Sequence, residues 1–506
     1  LSGERAELLS RLTARRYDLL VIGGGIIGAG TAAAAVRQGL SVALVDRGDF
    51  AGATSSASSK LIHGGLRYLR LGDVALVHEA QSERRLLMGT VAPHLVRELP
   101  FLVPVYRGGP YRPLTLGAGL ALYSALARTR PRRGLSGARA RALAPALRLG
   151  GLRACGVYSD CITNDARLTL ANVWAAERGG AVVANYAEVL ELRRRAGRVS
   201  GAELLCDGQF VSVEARAVVN ATGPWLDELR RLEDPGCAAS IRLSKGVHVV
   251  LEPAAPWAAA LAIPHDPVRF SFALPWQGML LLGTTDELYE GEAGALRVEP
   301  HEVDQVLAEA GAALEPGALE RSRVRASFAG LRVLPFAEGS TASARRETLY
   351  LRGRGGMLSV AGGKLTTYRR IALRALEHLR GDLGLAPLAS AAEPLPDGRP
   401  ADTRRLRSLP EATRSLLLEL YGARAGEVVA LADGQPELLE PLTPGQPELA
   451  VQVVYAARRE WALTVEDVLR RRTTLALRGH DGPALRRRVS ELLELAPSAA
   501  GLAREE

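Results

Sequence analysis

Cysteine is scarce. The 506-residue chain has four (Cys155, Cys161, Cys206, Cys237), none at the C-x-x-C spacing of metal sites and redox pairs. A disulfide framework and a zinc site are therefore set aside, no metal is expected, and a reducing, cytoplasmic setting fits. Aromatic residues make up 5% of the chain, and nothing resembles the aromatic-interleaved basic platform of a nucleic-acid binder. Nucleic acid is not expected as a partner. Long apolar runs are missing too. Leu19–Val36 has 18 residues without a charge, the length of a marginal membrane span. Its glycines, its small residues and the strand that follows suit nucleotide binding better. Residues 1–17 are charged throughout, and no small-residue cleavage site follows an apolar core, so no secretory signal is expected.

What is present is the composition of a soluble globular chain, 47% apolar and 24% charged, long enough for two or three domains. Net charge is +9. An anionic small molecule, an anionic membrane surface or nucleic acid would each suit that sign. The charge is scattered, with short clusters at Arg193–Arg195 and Arg470–Arg472.

The chain is organised around Leu19–Asp46. An apolar run, Leu19–Ile22, enters Gly23-Gly24-Gly25-Ile26-Ile27-Gly28, which fits G-x-G-x-x-G. An Ala-rich helical segment and a second apolar run follow, and Asp46 stands 18 positions after Gly28. Gly23 allows a tight turn, Gly25 lets the backbone approach a pyrophosphate, and Gly28 lets helix and strand pack closely. The helix start offers N–H groups to phosphate, and Asp46 suits ribose hydroxyls. By itself this unit specifies a dinucleotide, NAD as readily as FAD.

Further along, Arg47–Lys60 ends in a hydroxyl-rich turn, ATSSASSK, suited to close approach by a ligand. Leu61–Tyr68 (LIHGGLRY) sets two glycines beside a His, an Arg and a Tyr. Asp165 opens a helix, and capping is its first reading. A buried strand ends at Asn220-Ala221-Thr222-Gly223, and another at Gly362-Gly363-Lys364 before a helix. These distant strand ends favour FAD, a cofactor held by returns from far along the chain. From Arg242 to Phe328 the pattern turns antiparallel, and Pro394–Pro400 reads as a linker to amphipathic helices. The expected division is 17–100, 151–240 and 329–393 for nucleotide binding, 101–150 and 241–328 for a substrate domain, and 394–506 for linker and helical domain.

Six further stretches then fall in order: SSASSKLIHGGLRYL, YSDCITNDARL, VNATGPW, GTTD, GLRVLP and GGKLTTYR. With GGGIIGAG they closely resemble the FAD-dependent (aerobic, respiratory) glycerol-3-phosphate dehydrogenases. The resemblance implies an α/β, glutathione-reductase-like FAD-binding fold of the D-amino-acid-oxidase type. An antiparallel β-sheet substrate domain and a C-terminal helical domain complete it. It implies oxidation of sn-glycerol 3-phosphate to dihydroxyacetone phosphate by hydride transfer to FAD, with electrons passed to a membrane quinone.

Residue by residue, the resemblance implies cofactor contacts at Gly23, Gly25, Gly28, Asp46, Ser55, Ser58, Ser59, Lys60, Thr222, Gly223, Gly362, Gly363 and Leu365. For the substrate phosphate it implies Arg332, Arg345 and Lys364, with Arg346 adjacent to Arg345 as its competitor. Lys364 has a double reading, phosphate or the charge of the reduced flavin. His63 is the first choice of proton acceptor and His248 the second, because a histidine has the right range for this task. Tyr68 is expected to line the pocket. A peripheral position on the anionic inner face of the cell membrane would serve quinone transfer, and a homodimer is left open. A glycerol-3-phosphate oxidase releasing peroxide is the enzymatic alternative, and a non-catalytic flavoprotein module the alternative of another class.

Overall fold

The computed structural model describes residues 3–66, 73–130, 134–266, 269–336, 348–388 and 391–495. Tyr17–Ile22 is the central strand of an eight-stranded sheet and is buried apart from Asp18. It pairs in parallel with Val42–Val45 on one side and Gln209–Asn220 on the other. Leu358–Gly362 and Val182–Ala184 extend the parallel set outward. Strands buried on both faces are written as near-continuous apolar runs, as are Val42–Val45 and the end of Gln209–Asn220, whose earlier part alternates with exposed residues. Because they run the same way, Gly23, Asp46, Ala221 and Gly363 gather on one edge, where ligands of open α/β sheets bind.

The helix Ile26–Arg37 covers this sheet and packs against Asp165–Arg178 and Tyr368–His378. Its small residues allow that approach: a Cβ at Gly30 would lie 2.8 Å from the Tyr368 ring. The uncharged stretch Leu19–Val36 is thus a buried strand turning into a buried helix. No helix among the described residues is long and apolar enough to cross a membrane.

The second sheet has nine strands, with Ile241–Leu251 paired antiparallel to Val324–Pro335, Met279–Gly283 and Glu287–Tyr289. Two expected boundaries shift here. Leu152–Ile162 pairs with Arg97–Tyr106 from Ile162 back to Leu152, so it belongs to this sheet and not to the nucleotide part. Val324–Pro335 likewise carries the sheet past residue 328. Cross-strand partners decide such membership, and apolar patterning does not name them. Leu61–Ile62 pairs with Cys161 and Ile162, which fastens the start of the IHGG segment to this sheet.

The C-terminal helices, among them Glu411–Tyr421, Val451–Arg459 and Pro483–Glu494, pack around apolar clusters of their own. Buried charge docks them to the rest. The Arg167 guanidinium donates to both oxygens of Glu460, each at 2.7 Å, and Arg424 approaches Glu460 at 3.3 Å and Asp397 at 3.4 Å. Burial alone would raise the Glu460 carboxyl; Arg167 and then Arg424 overcome that and hold it below its ordinary value.

Such an arrangement adds little net stability against an apolar substitute, but loss of one member strands the others. Glu460→Ala is expected to cost about 3–5 kcal/mol in denaturant unfolding. The sign with pH follows from the depressed folded-state pKa. The Glu460 contribution is full above the ordinary carboxylate range and is lost as pH falls through the lower folded value. A variant whose acid midpoint and stability match the parent would remove this role.

Candidate functional site

A cavity of about 670 Å³ opens along the carboxyl edge of the parallel strands. The glycine fingerprint lies along it, with Gly23 at the tight turn and Gly28 at the close helix–strand contact. Gly23 has φ +108°, and a Cβ there would lie 2.5 Å from the Ala221 carbonyl oxygen. A Cβ at Gly28 would overlap the Gly23 carbonyl, so this glycine sets how closely helix and strand approach. Gly25 begins the helix without a side-chain cap, and the Ile26 N–H donates to Ser55 Oγ at 2.9 Å. The Asp46 carboxylate accepts from the Gly24 N–H at 2.6 Å and the Gly48 N–H at 2.8 Å. Burial pushes its carboxyl up to about 6, against the pull of those N–H groups.

The far wall comes from the distant returns. Thr222, Gly223, Gly362, Gly363, Lys364 and Leu365 all line the cavity. Gly223, Gly362 and Gly363 have φ of +58°, +79° and +76°, a backbone conformation that favours glycine. A glycine-lined trough with a helix start and a carboxylate along it suits an extended dinucleotide such as FAD.

The hydroxyl-rich turn is more divided than expected. Ser55 and Ser58 line the large cavity. Lys60 does not: its buried ammonium donates to Asp165 at 2.6 Å and to the Ser56 carbonyl at 3.1 Å. Lys60 is therefore corrected from a cofactor contact to the pin of the turn, because a buried ammonium must keep its carboxylate. Asp165 also accepts from Ser58 Oγ at 2.7 Å, while Asn164, not Asp165, caps the helix by accepting from the Arg167 N–H. Ser59 lines a second cavity instead of the first.

That second cavity holds about 150 Å³ between the IHGG loop and the antiparallel sheet. His63, Ser59, Arg269, Asp286 and Arg332 line it. Arg332 also lines the large cavity, so it stands where the two meet. One arm of its fork donates to Thr284 Oγ1 at 2.7 Å and the Thr285 carbonyl at 3.0 Å. Asp286 lies 3.6 Å away. The GTTD stretch is thus a cradle for this arginine. The IHGG loop is tied to GGKLTT: the His63 N–H donates to Thr366 Oγ1 at 3.0 Å, and that hydroxyl donates to the His63 carbonyl at 3.2 Å.

The two candidate histidines differ sharply. His63 is half-buried at the cavity wall. His248 is buried behind it, stacked on Phe328 at 5.0 Å between centroids, with Nε2 2.9 Å from Ser59 Oγ. Burial, with Arg332 and Lys60 nearby, drives its pKa well below the ordinary value, so it is a neutral ring. Its hydrogen-bond partner Ser59 lines the second cavity. Tyr68, Arg345 and Arg346 lie outside the described residues.

Two sets of residues escaped sequence reasoning. Behind the IHGG loop, Asp160 accepts from Tyr123 Oη at 2.8 Å and from the Gly64 N–H at 3.3 Å. Arg84 lies 3.8 Å from it, and burial raises its carboxyl to about 6. The YSDCITNDARL stretch was visible, but nothing in its pattern says which acid faces the loop. Arg471, from the helical domain, lines the large cavity. It was visible only as part of a charge cluster.

The fold and the paired cavities define an FAD-dependent oxidoreductase. Residues 18–369 match the family described as FAD dependent oxidoreductase, and residues 364–496 that described as the C-terminal domain of alpha-glycerophosphate oxidase. A glycerol-3-phosphate dehydrogenase from Synechocystis sp. is 35% identical over 92% of this chain and 90% of its own. An aerobic glycerol-3-phosphate dehydrogenase from Bacillus subtilis is 33% identical over 80% of this chain and 75% of its own. The crystal structure of the glycerol-3-phosphate dehydrogenase from Bacillus halodurans complexed with FAD superposes with a TM-score of 0.74, covering 99% of both chains at 28% identity. The chain belongs to the FAD-dependent glycerol-3-phosphate dehydrogenase family.

Proposed function

We propose that this protein oxidises sn-glycerol 3-phosphate to dihydroxyacetone phosphate and delivers the electrons to a membrane quinone. One observation carries the reading: Arg332, its fork steadied by Thr284 and Thr285, faces both the large cavity and the small one that His63 lines. Bound in the large cavity, FAD supplies the two-electron acceptor. Gly23, Gly25, Asp46, Ser55, Thr222 and Gly363 would hold it. Arg332 holds the phosphate of the substrate, since a planar guanidinium matches phosphate oxygens. Lys364 adds a second positive charge on the large-cavity side. His63 takes the proton of the C2 hydroxyl. His248, buried and 2.9 Å from Ser59 Oγ, positions that hydroxyl.

A peripheral site on the cytoplasmic membrane face serves the quinone step. The helix Pro113–Leu126 contains no charged residue. It buries Leu116 and Leu120 and exposes Leu114 by 88% and Leu122 by 52%. Exposed arginines flank it, Arg107 and Arg112 before and Arg128 and Arg130 after. An apolar face rimmed by cations suits an anionic bilayer surface.

Under anaerobic conditions sn-glycerol 3-phosphate is expected to bleach the flavin spectrum and glycerol to leave it unchanged; equal bleaching by both would sink the phosphate reading. Turnover with a quinone analogue is expected to exceed turnover with oxygen, and the reverse would make the protein an oxidase. His63→Ala should lower kcat by about 10²–10⁴-fold with a smaller change in KM. Undiminished kcat would hand the proton to another group. Replacing Leu114 and Leu122 together by Asp should abolish co-sedimentation with phosphatidylglycerol vesicles while flavin bleaching persists. Retained co-sedimentation would move the docking face elsewhere.

A further inference from the structure

The turn that follows the second parallel strand is gripped by the C-terminal domain. Asp49, three residues beyond Asp46, is buried between two arginines of that domain. Arg472, wholly buried, donates to both Asp49 oxygens and to the Glu460 carbonyl. Arg471 donates to the same carboxylate and, at 2.7 Å, to Asp467. Burial alone would raise the Asp49 carboxyl; Arg472 and then Arg471 reverse this and hold it below its ordinary value.

A second grip lies beside the first. Trp461 of the C-terminal domain meets the Phe50 ring edge-on, with centroids 5.3 Å apart. Phe50 in turn fills the space a Cβ at Gly24 would need, directly under the glycine fingerprint. Asn185 bridges the two grips, donating to the Trp461 carbonyl at 2.7 Å and to Asp49 at 3.3 Å. Tyr186 donates to Asp467 at 2.7 Å, and Tyr186 and Arg471 both line the large cavity.

The two arginines are not equivalent. Arg472 reaches both Asp49 oxygens and does not line the cavity. Arg471 is shared between Asp49, Asp467 and the cavity wall, at the end where Asp46, Gly48 and Asp49 also line it. We infer that Arg471 is a cofactor-site residue contributed by the C-terminal domain. Its guanidinium contacts the adenosine half of FAD, so that domain docking and cofactor binding are thermodynamically coupled. Asp49, Trp461 and Phe50 are positioning residues for this contact. A guanidinium is suited to an adenine ring or ribose edge because it stacks on aromatic faces and donates in plane. Coupling is reciprocal: if the docked domain tightens FAD, bound FAD tightens the docked domain by the same factor.

The inference rests on the large cavity being the FAD site, and the experiment separates the two. FAD and ADP are titrated into the flavin-free full-length protein, followed by flavin fluorescence and calorimetry, for the parent, Arg471→Met and Arg471→Lys. The parent is expected to bind both ligands; failure of the parent to bind FAD would overturn the cavity assignment itself. Arg471→Met is expected to weaken both FAD and ADP by about tenfold or more, within the usual range of coupling factors. Arg471→Lys, which keeps the charge and loses the planar fork, should fall in between and serves if the Met variant does not fold. FAD should also slow proteolytic release of the C-terminal domain in the parent, and less so in the variants. Parent-like affinity for FAD and ADP in a folded Arg471 variant overturns the proposal. That holds even if its flavin-free Tm is lowered, because a purely structural arginine would lower Tm and leave ligand affinity alone.

Discussion

The close approach of the first helix to the first strand is the constraint on which the rest depends. With no Cβ at Gly28, the helix start sits against the Gly23 carbonyl, and with φ +108° at Gly23 the chain turns beneath Ala221. That contact sets the start of the helix at the sheet edge, where Asp46 holds the Gly24 N–H and Ser55 the Ile26 N–H. It also brings the strand Gln209–Asn220 within reach, through the Ala221 N–H donating to the Ile22 carbonyl at 2.8 Å. The trough for a dinucleotide is a by-product of this packing. Once the edge is set, Gly363 and Lys364 arrive at it because Leu358–Gly362 pairs in parallel with Gln209–Asn220.

Charge is organised by the same economy. The site needs cations near its substrate and a neutral proton acceptor, and these demands conflict unless each cation is held. Lys60 is held by Asp165, and Arg332 by the hydroxyl and carbonyl of the GTTD stretch. Burial, added to their fixed positive charge, keeps His248 neutral. His63 stands nearer solvent, on a loop tied by Thr366 to the cofactor wall. The antiparallel sheet and the nucleotide sheet thus supply different halves of one electrostatic arrangement, joined at Arg332.

Much of this was legible because its signals are local. The fingerprint, its strand and helix, the acid at position 46 and the glycine-ended returns at 223 and 363 each depend on a few neighbouring residues, and all of them meet at the large cavity. What escaped depends on partners far apart in the chain. Leu152–Ile162 has the alternation of any half-buried strand, and only pairing with Arg97–Tyr106 assigns it to the substrate sheet. Lys60 sits in a serine-rich turn like a ligand contact, yet Asp165, more than a hundred residues on, claims it. Asp160 and Arg471 carry no local mark at all, since their meaning lies in Gly64 and Asp49.

The helical domain shows why such long-range charge is kept although it stabilises little. An apolar interface would hold two domains together as well or better. Paired charge adds a directional constraint on the register at which they meet. The fork of Arg167 on Glu460 and that of Arg472 on Asp49 are planar and bidentate, and each tolerates one orientation of its partner. Asp49 is the member of this set nearest the cofactor trough. A register error in docking would therefore be felt first at the turn carrying Asp46 and under the ring of Phe50. Orientation of the helical domain and shape of the Asp46 end of the trough are, on this geometry, one structural variable.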